Sequence, residues 1–223
     1  MGILYVVATP IGNLKDITLR ALEVLREVDL VACEDTRVTK KLLDHYQIDK
    51  KLISYHQHSR VSKIDYIVNL LKEGKTVAMV SDAGTPSISD PGRKLVSEVE
   101  KVEGIKVIPI PGPSAIISAL SVSGVNADKF VFLGFLPTKK GRETIFKEIK
   151  GEEKTVVFYE SVHRILKTLE RLNVGARRVV VCRELTKIFE EIIKGTKEEV
   201  LNYFKNNKDK IKGEFVVIIE GKK

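Results

Sequence analysis

Carboxylate side chains follow the apolar segments in the first half of the chain, where they could serve a chemical step. Four such residues come at or shortly after the end of a segment: Glu34, Asp35, Asp82 and Asp90. A carboxylate held beside a reacting hydroxyl can act as a general base or a hydrogen-bond acceptor. Arg37 accompanies the first two, so a structural ion pair that fixes their loop explains the group equally well. We take Glu34, Asp35 and Arg37 as the catalytic candidates.

The same apolar segments are followed by connections that are rich in glycine, proline and small polar residues. These connections are 9–14, 34–37, 81–92 and 111–114. Glycine permits close backbone approach to a ligand, and proline holds rigid turns. Open parallel sheets bind ligands beyond the carboxyl ends of their strands. The pattern therefore predicts a small-molecule site at this edge, although connections in α/β proteins are commonly rich in these residues.

The segments that lead into these loops predict the architecture. Strands are expected at 3–8, 29–33, 52–55, 76–81 and 105–110, and helices at about 19–28, 59–72 and 91–103. This alternation is typical of a mostly parallel sheet. After Pro111-Gly112-Pro113 the pattern changes, and the strands at 178–183 and 188–194 are close enough to be antiparallel neighbours. We predict an α/β fold with two α/β domains, 1–111 and 112–223, a mixed sheet in the second, and a cofactor cleft at their junction.

Several classes of protein are disfavoured by what the sequence lacks. No apolar run reaches the roughly 18 residues of a membrane span, and the N-terminus does not resemble a signal peptide, so a cytoplasmic protein without membrane contact is expected. Neither GxxxxGK[ST] nor GxGxxG is present. Cys33 and Cys182 are far apart, and His56 and His58 have no partner cluster, so no metal site is predicted.

The positive charge of the chain is concentrated in its second half. The formal net charge is +8 at pH 7, but residues 1–111 carry 16 Lys and Arg against 15 Asp and Glu, whereas residues 112–223 carry 22 against 15. This asymmetry indicates that the second half contacts a polyanion. A lysine-rich solvated surface is the alternative explanation.

Several multi-residue blocks resemble the tetrapyrrole methylase superfamily. They are Val7–Asp16, Cys33–Arg37, Ser81–Gly92, Pro111–Ala115, Phe132–Pro137, Phe158–Arg164 and Cys182–Lys187. The likeness covers about residues 3–220, and within the superfamily it is greatest for enzymes that 2′-O-methylate a cytidine of 16S rRNA near the decoding site. That activity is the function the resemblance implies.

The resemblance also implies a cofactor, partners and binding residues. S-adenosylmethionine would lie folded in the cleft of a homodimer, against Pro10, Ile11, Thr85, Ile88, Ser114, Ala115, Tyr159 and Glu160. The macromolecular partner would be 16S rRNA within the small ribosomal subunit. Basic residues that could contact its phosphates are Lys40, Lys41, Lys139, Lys140, Arg142, His163, Arg164 and Arg183. Each of these alone could equally be an ordinary surface charge.

Two other functions remain open at this point. A methyltransferase of the same superfamily could act on a tetrapyrrole or corrin ring, although the basic second half counts against such a substrate. A non-catalytic RNA-binding protein could also retain the fold, because fold does not determine function. The second alternative predicts no cofactor binding, which a titration with S-adenosylmethionine would test.

Overall fold

In the computed structural model, residues 1–55 and 61–222 are described, and the chain divides after Ser114 into two units. Unit 1 is Met1–Ser114 and unit 2 is Ala115–Lys223. The division follows directly on the Pro111-Gly112-Pro113 segment. His56, His58 and the first residues of the helix expected from Ser59 lie outside the described residues.

Unit 1 is a parallel sheet with helices on both faces. Its elements are β1 (Ile3–Val7), α1 (Leu19–Glu27), β2 (Leu30–Cys33), α2 (Thr36–His45), β3 (Leu52–Ser54), α3 (Val61–Lys72), β4 (Thr76–Met79), α4 (Gly92–Val99) and β5 (Lys106–Ile110). A short 3-10 helix, Leu14–Asp16, precedes α1. The strand order is β3-β2-β4-β1-β5, and every neighbouring pair is parallel. This arrangement confirms the predicted parallel α/β sheet.

Alternate residues of the unit 1 strands pack against different helices. Val31 and Ala78 lie in one apolar cluster with residues of α1 and α2. Ala32 and Val77 lie in another, with residues of α3 and α4. Strands that are buried on both faces need apolar residues at consecutive positions, which accounts for the continuous apolar runs in the sequence.

Helix α2 corrects the expectation that residues 34–37 form a plain loop. Asp35 is its N-cap, and the Asp35 carboxylate accepts a hydrogen bond from the backbone N–H of Arg37 at 2.8 Å. The buried residues Thr39, Leu42 and Leu43 lie on one face. Because Arg37 is in the first turn of this helix, its position depends on the cap at Asp35.

Unit 2 contains a mixed sheet. Its elements are α5 (Ala115–Ser123), β6 (Phe130–Phe135), α6 (Arg142–Gly151), β7 (Thr155–Ser161), α7 (Ile165–Arg171), β8 (Val179–Arg183), β9 (Glu191–Gly195), α8 (Lys197–Asn206) and β10 (Glu214–Ile219). The order is β6-β7-β10-β8-β9. Strands β6 and β7 are parallel, and the other neighbours are antiparallel, as β8 and β9 were expected to be.

A β-bulge changes the direction of side chains near the end of β6. Phe132 is paired with Val157, but Phe135 is paired with Tyr159, so β6 has one more residue than β7 over this interval. Gly134 has a φ of +62°, a conformation that favours glycine. The extra residue places Phe132 and Phe135 on the same face of the sheet.

The connection between β8 and β9 is longer than the sequence pattern suggests. A strand was expected from Ile188, but β9 begins at Glu191. Ile188 and Phe189 are 91% and 68% exposed in the connection. The backbone N–H of Glu190 donates to the carbonyl of Lys187 at 3.0 Å, so residues 187–190 form a turn in place of the start of a strand.

No helix among residues 1–55 and 61–222 is long and apolar enough to cross a membrane.

Candidate active site

Three loops at the carboxyl edge of the unit 1 sheet are joined by hydrogen bonds. Thr9, after β1, donates its N–H to the carbonyl of Gly84 at 2.9 Å, and the Gly84 N–H donates back to the Thr9 carbonyl at 3.0 Å. The Thr9 hydroxyl also donates to the Ser81 carbonyl at 3.1 Å. The Thr85 hydroxyl donates to the Pro113 carbonyl at 3.2 Å. The loops after β1, β4 and β5 therefore form one connected surface.

Two glycines permit this close contact between loops. Gly84 has a φ of +78°, and a Cβ added there would lie 3.3 Å from Cγ2 of Ile11. A Cβ on Gly112 would lie 3.0 Å from the Cβ of Ala8. A side chain at either position would crowd the neighbouring loop, and at Gly84 the positive φ disfavours any other residue as well.

Most of the predicted cofactor contacts lie on or beside these loops. Those in unit 1 are Pro10, Ile11, Thr85, Ile88 and Ser114. Ile88 is 47% exposed, and the others are buried or half-buried. The contacts predicted in unit 2 are Ala115, Tyr159 and Glu160. The structure thus brings the unit 1 set together at one edge of its sheet.

The chemistry of these loops fits a positively charged cofactor such as S-adenosylmethionine. Segments 9–14, 81–92 and 111–114 contain no lysine or arginine that would repel a sulfonium. They offer backbone carbonyls, a threonine hydroxyl and the apolar side chain of Ile88. The same segments include the carboxylates of Asp82 and Asp90, so the charge at this edge attracts a cation.

Glu34 lies at the same edge, at the end of β2. The backbone N–H of Asp82 donates to Oε1 of Glu34 at 3.4 Å. Burial, together with the negative charges of Asp90 and Asp82, raises the pKa of Glu34 to about 7. A carboxyl group with this pKa is poised to accept a proton near neutral pH.

Asp90 fixes the loop that follows β4. Its Oδ1 accepts hydrogen bonds from the backbone N–H of Ser87 at 2.8 Å and of Gly92 at 2.7 Å. Burial raises the pKa of Asp90, while these two hydrogen bonds lower it. Asp90 therefore has a structural role in the loop and an electrostatic effect on Glu34.

Asp35 differs from Glu34 in its partners and its acidity. Its carboxylate accepts three hydrogen bonds from the Arg37 guanidinium: from Nε to Oδ1 at 3.0 Å and to Oδ2 at 3.2 Å, and from Nη2 to Oδ2 at 2.6 Å. Hydrogen bonds from Arg37 lower the pKa of Asp35 to about 2. A carboxylate this acidic is a poor base, and Asp35 and Arg37 are best explained as the cap and ion pair that begin α2.

The backbone of Asp35 also connects two of the loops. Its N–H donates to Oδ1 of Asp82 at 3.0 Å. Together with the hydrogen bond from Asp82 to Glu34, this contact joins the end of β2 to the loop after β4. The start of α2 therefore helps to determine where the Glu34 carboxylate lies.

A second charged cluster lies buried in unit 2, around Glu160. The Arg164 guanidinium lies 2.8 Å from Oε1 of Glu160, and that of Arg142 lies 3.6 Å from Oε2. Thr168 donates its hydroxyl to Oε2 at 2.5 Å and accepts a hydrogen bond from Arg142 at 2.6 Å. Glu160 is only 1% exposed and its side chain not at all, so its carboxylate serves this cluster and is not accessible to a cofactor.

Arg142 and Arg164 connect this cluster to the segment that follows β6. Arg142 donates to the carbonyl of Pro137 at 2.8 Å, and Arg164 donates to the carbonyl of Leu136 at 2.8 Å. The buried charges of unit 2 therefore hold the end of β6 in place.

Two predicted RNA contacts are corrected by their burial. The side chain of Arg142 is 8% exposed, and that of Arg183 is 9% exposed, with its Nε 3.4 Å from Glu191. Phosphate contacts require accessible guanidinium groups, so these two arginines drop out of the proposed RNA-binding set. Arg164 keeps 20% of its side chain exposed but is paired with Glu160.

The other predicted RNA contacts are exposed. In unit 1 they are Lys40 and Lys41, on α2, and Lys40 pairs with Asp44 at 2.7 Å. In unit 2 they are Lys139, Lys140 and His163. Lys139 and Lys140 directly follow the segment that Arg142 and Arg164 hold.

Sequence reasoning did not identify Thr9 and Thr168 as site-forming residues. Thr9 is the first residue of the predicted connection 9–14, but the sequence does not indicate that its hydroxyl and backbone link two loops. Thr168 lies eight positions after Glu160, and nothing in the sequence indicates that its hydroxyl links Glu160 to Arg142. In the part of the chain that the structure describes, no group of three or more His, Cys, Asp or Glu residues is placed to hold a metal ion.

Comparison with known families identifies the family of the chain. The family model described as Tetrapyrrole (Corrin/Porphyrin) Methylases matches residues 3–201. The chain belongs to this family of methyltransferases.

Curated relatives match over nearly the whole chain. Proteins named "Ribosomal RNA small subunit methyltransferase I" include one from Halalkalibacterium halodurans, 51% identical over 99% of this chain and 76% of its own length. Another, from Thermotoga maritima, is 49% identical over 100% of both chains. A third, from Escherichia coli O157:H7, is 49% identical over 100% of this chain and 79% of its own length.

Solved structures share the fold at low identity. Diphthine synthase has a TM-score of 0.75 at 15% identity, covering 99% of this chain and 90% of its own. Uroporphyrin-III-C-methyltransferase from Thermus thermophilus has a TM-score of 0.67 at 16% identity, covering 99% and 94%. These matches establish the tetrapyrrole methylase fold.

Proposed function

We propose that the protein transfers a methyl group from S-adenosylmethionine to the ribose 2′-hydroxyl of a cytidine in 16S rRNA. The observation that carries the catalytic part is the Glu34 carboxyl, whose pKa is raised to about 7 beside the loops proposed to bind the cofactor. The substrate is inferred from the names of relatives that are about half identical over nearly the full chain. The proposal includes a homodimer that acts in the cytoplasm on the small ribosomal subunit.

The chemistry needs an electrophilic methyl group, which S-adenosylmethionine supplies when bound. The loops that contain Pro10, Thr85 and Ser114 orient the cofactor through backbone groups, and fixed orientation lowers the barrier to displacement. Deprotonated Glu34 accepts the proton of the ribose hydroxyl as the oxygen–carbon bond forms and the sulfur–carbon bond breaks. The Asp35–Arg37 pair holds the start of α2 and thereby positions Glu34.

Gly84 provides a test of the cofactor-binding loops. A Gly84→Ala substitution is expected to weaken S-adenosylmethionine binding, because its Cβ would press on Ile11 at 3.3 Å and disturb the bridge to Thr9. The positive φ adds a loss of stability of about 1–2 kcal/mol. Isothermal titration would measure the cofactor affinity, and urea-induced unfolding the stability.

Gly104→Ala is the matched control for this change. Gly104 has a φ of +82°, but a Cβ there would meet nothing within 4 Å. Its replacement should therefore reduce stability by a similar amount and leave cofactor affinity unchanged. Equal cofactor affinities in the two variants would contradict the role given to Gly84.

RNA would be held in part by Lys139 and Lys140. Replacing either by Ala is expected to weaken binding to RNAs of any sequence and to reduce the slope of log K against log salt concentration by about 1, because one phosphate contact is lost. Filter binding at several salt concentrations would measure this. Lys205→Ala is the control, since Lys205 is already paired with Glu170 at 2.9 Å. If the slope is unchanged in both Lys139→Ala and Lys140→Ala, these two lysines do not contact the RNA phosphates.

The transfer itself can be tested with labelled S-adenosylmethionine and small ribosomal subunits from cells that lack the enzyme. After the reaction, the rRNA is hydrolysed in alkali, which requires a free 2′-hydroxyl for cleavage. Label in one undigested dinucleotide that begins with a methylated cytidine would support the proposal. Label in mononucleotides would indicate that the methyl group is transferred to a base and not to the ribose. Cofactor binding without labelled RNA would contradict an RNA substrate and favour a corrin or porphyrin substrate, as the family description suggests.

A further inference from the structure

We propose that Phe135 is a stacking surface for an unpaired nucleobase of the RNA. The inference rests on the proposed function and names a contact with its substrate. All of the residues involved lie in unit 2. The Phe135 ring is exposed, contacts Tyr159, is oriented by the β-bulge in β6, and is followed by two lysines.

Phe135 is exposed but supported by other aromatic rings. It is 57% exposed, and its ring centroid lies 5.3 Å from that of Tyr159 at an interplanar angle of 52°. The ring centroid of Phe132 lies 5.1 Å from that of Tyr159, so Tyr159 contacts both phenylalanine rings. A ring held by neighbours loses little conformational freedom when a ligand stacks on it, which favours binding.

The direction of the Phe135 side chain depends on the β-bulge. Without the extra residue in β6, a strand that alternates regularly would place Phe135 on the face opposite to Phe132. The bulge at Gly134 returns Phe135 to the face of Tyr159. Bulges that redirect a side chain are found next to functional sites, and here the result is an exposed aromatic ring.

Two positively charged residues come shortly after Phe135 in the sequence. Lys139 and Lys140 are exposed, and they come four and five residues after Phe135. The intervening carbonyls of Leu136 and Pro137 are held by Arg164 and Arg142. An aromatic ring for a base and ammonium groups for phosphates are the combination that single-stranded nucleic acids require. A polyanion with exposed aromatic faces therefore fits this segment better than an apolar protein surface does.

The natural chain contains no tryptophan, which permits a direct spectroscopic test. Phe135→Trp creates a protein with a single tryptophan, whose emission is quenched when a base stacks on it. Phe130→Trp is the matched control, because Phe130 is also exposed, at 37%, but lies at the opposite end of β6. The probe is a single-stranded RNA oligonucleotide with unpaired cytidines. We expect quenching in the Phe135→Trp protein and none in the control.

Kinetic variants separate stacking from simple apolar contact. Phe135→Leu is expected to raise KM for small ribosomal subunits about tenfold, since the loss of a stacked base is in this range. Phe135→Tyr, which keeps an aromatic ring, should have a KM close to that of the natural chain. Light scattering of the natural chain and the Phe135→Leu variant reports whether the ring contacts a second copy.

The outcomes distinguish this inference from the function on which it rests. If the natural chain labels rRNA but Phe135→Trp shows no quenching, or Phe135→Leu keeps its KM, the stacking role is overturned alone. A dimer that dissociates on Phe135→Leu assigns the ring to contact between copies and also overturns it. If the natural chain neither binds nor labels RNA, the proposed function and this inference fail together.

Discussion

Replacement of Glu34 by Gln is expected to slow methyl transfer by about 10²- to 10⁴-fold, the usual contribution of a positioned general base. The amide has nearly the same shape but cannot accept the proton of the ribose hydroxyl. Cofactor affinity should change little, because the proposed cofactor contacts are largely backbone groups of other loops. Single-turnover rates with saturating RNA and cofactor would measure the effect.

The pH dependence of the natural enzyme tests the same role. Because the pKa of Glu34 is raised to about 7, the rate should rise with pH through this value and then level off as the carboxylate form becomes complete. Glu34→Gln should lose this rise. Asp35→Asn is the contrast: asparagine retains the N-cap, so its rate should fall by less than about tenfold. A larger loss in Asp35→Asn than in Glu34→Gln would reverse the assignment of the base.

Stability provides a check that the Glu34 variant is folded. The carboxyl has a higher pKa in the folded protein, about 7, than its ordinary value of 4.5, so the folded state binds its proton more tightly. The stability it contributes is therefore present below pH 4.5 and is lost as pH rises through about 7. Glu34→Gln removes the buried charge, so its Tm should exceed that of the natural chain at pH 8. The difference should become small near pH 5.

Replacement of Glu160 by Ala is expected to lower the free energy of unfolding of unit 2 by about 3–5 kcal/mol. The change leaves the guanidinium groups of Arg142 and Arg164 buried without their counter-ion, and Thr168 loses its acceptor. Removing one partner of a buried ion pair leaves the other charge buried and unpaired. This loss of stability is much larger than the stability that the intact pair adds over apolar residues of similar size. Urea-induced unfolding monitored by circular dichroism would measure the loss.

Glu143→Ala is the control for the Glu160 variant. Glu143 pairs with Arg171 on the surface, where the two side chains are 66% and 53% exposed. Exposed pairs contribute about 0–1 kcal/mol, so this variant should unfold almost as the natural chain does. If Glu160→Ala and Glu143→Ala lose similar stability, the buried cluster does not stabilise unit 2 as described.

The sequence predicted much of the fold because its apolar runs are strong signals. The strands of the parallel sheet are buried on both faces, so continuous apolar segments with turns between them identified each one within a residue or two. Helix α2 was missed because lysine and threonine dominate it, and its buried residues Thr39, Leu42 and Leu43 form a short face. Asp35 is the N-cap of this helix, and its residue type alone does not distinguish a cap from a catalytic carboxylate.

The site was less predictable because burial and distance decide it. The sequence indicated that Glu34 and Asp35 end the same strand, but it could not show that Arg37 hydrogen-bonds only the second. Burial and the charges of Asp90 and Asp82 raise the pKa of Glu34 to about 7, whereas the hydrogen bonds from Arg37 lower that of Asp35 to about 2. Arg142 follows two lysines in the sequence and resembles a surface charge, yet its side chain is directed to Glu160. The contacts of Arg142 with Glu160 and Thr168 join residues that are 18 or more positions apart, and no local pattern records them.

The central position of β10 has a consequence for folding during translation. This strand, Glu214–Ile219, lies between β7 and β8, so both of those strands have an unpaired edge until it is synthesised. Unpaired edges with apolar side chains are prone to aggregate. The unit 1 sheet, by contrast, is complete once β5 has been made, at Ile110. The nascent chain therefore folds in order, with the first unit formed while the second still depends on a strand that emerges last.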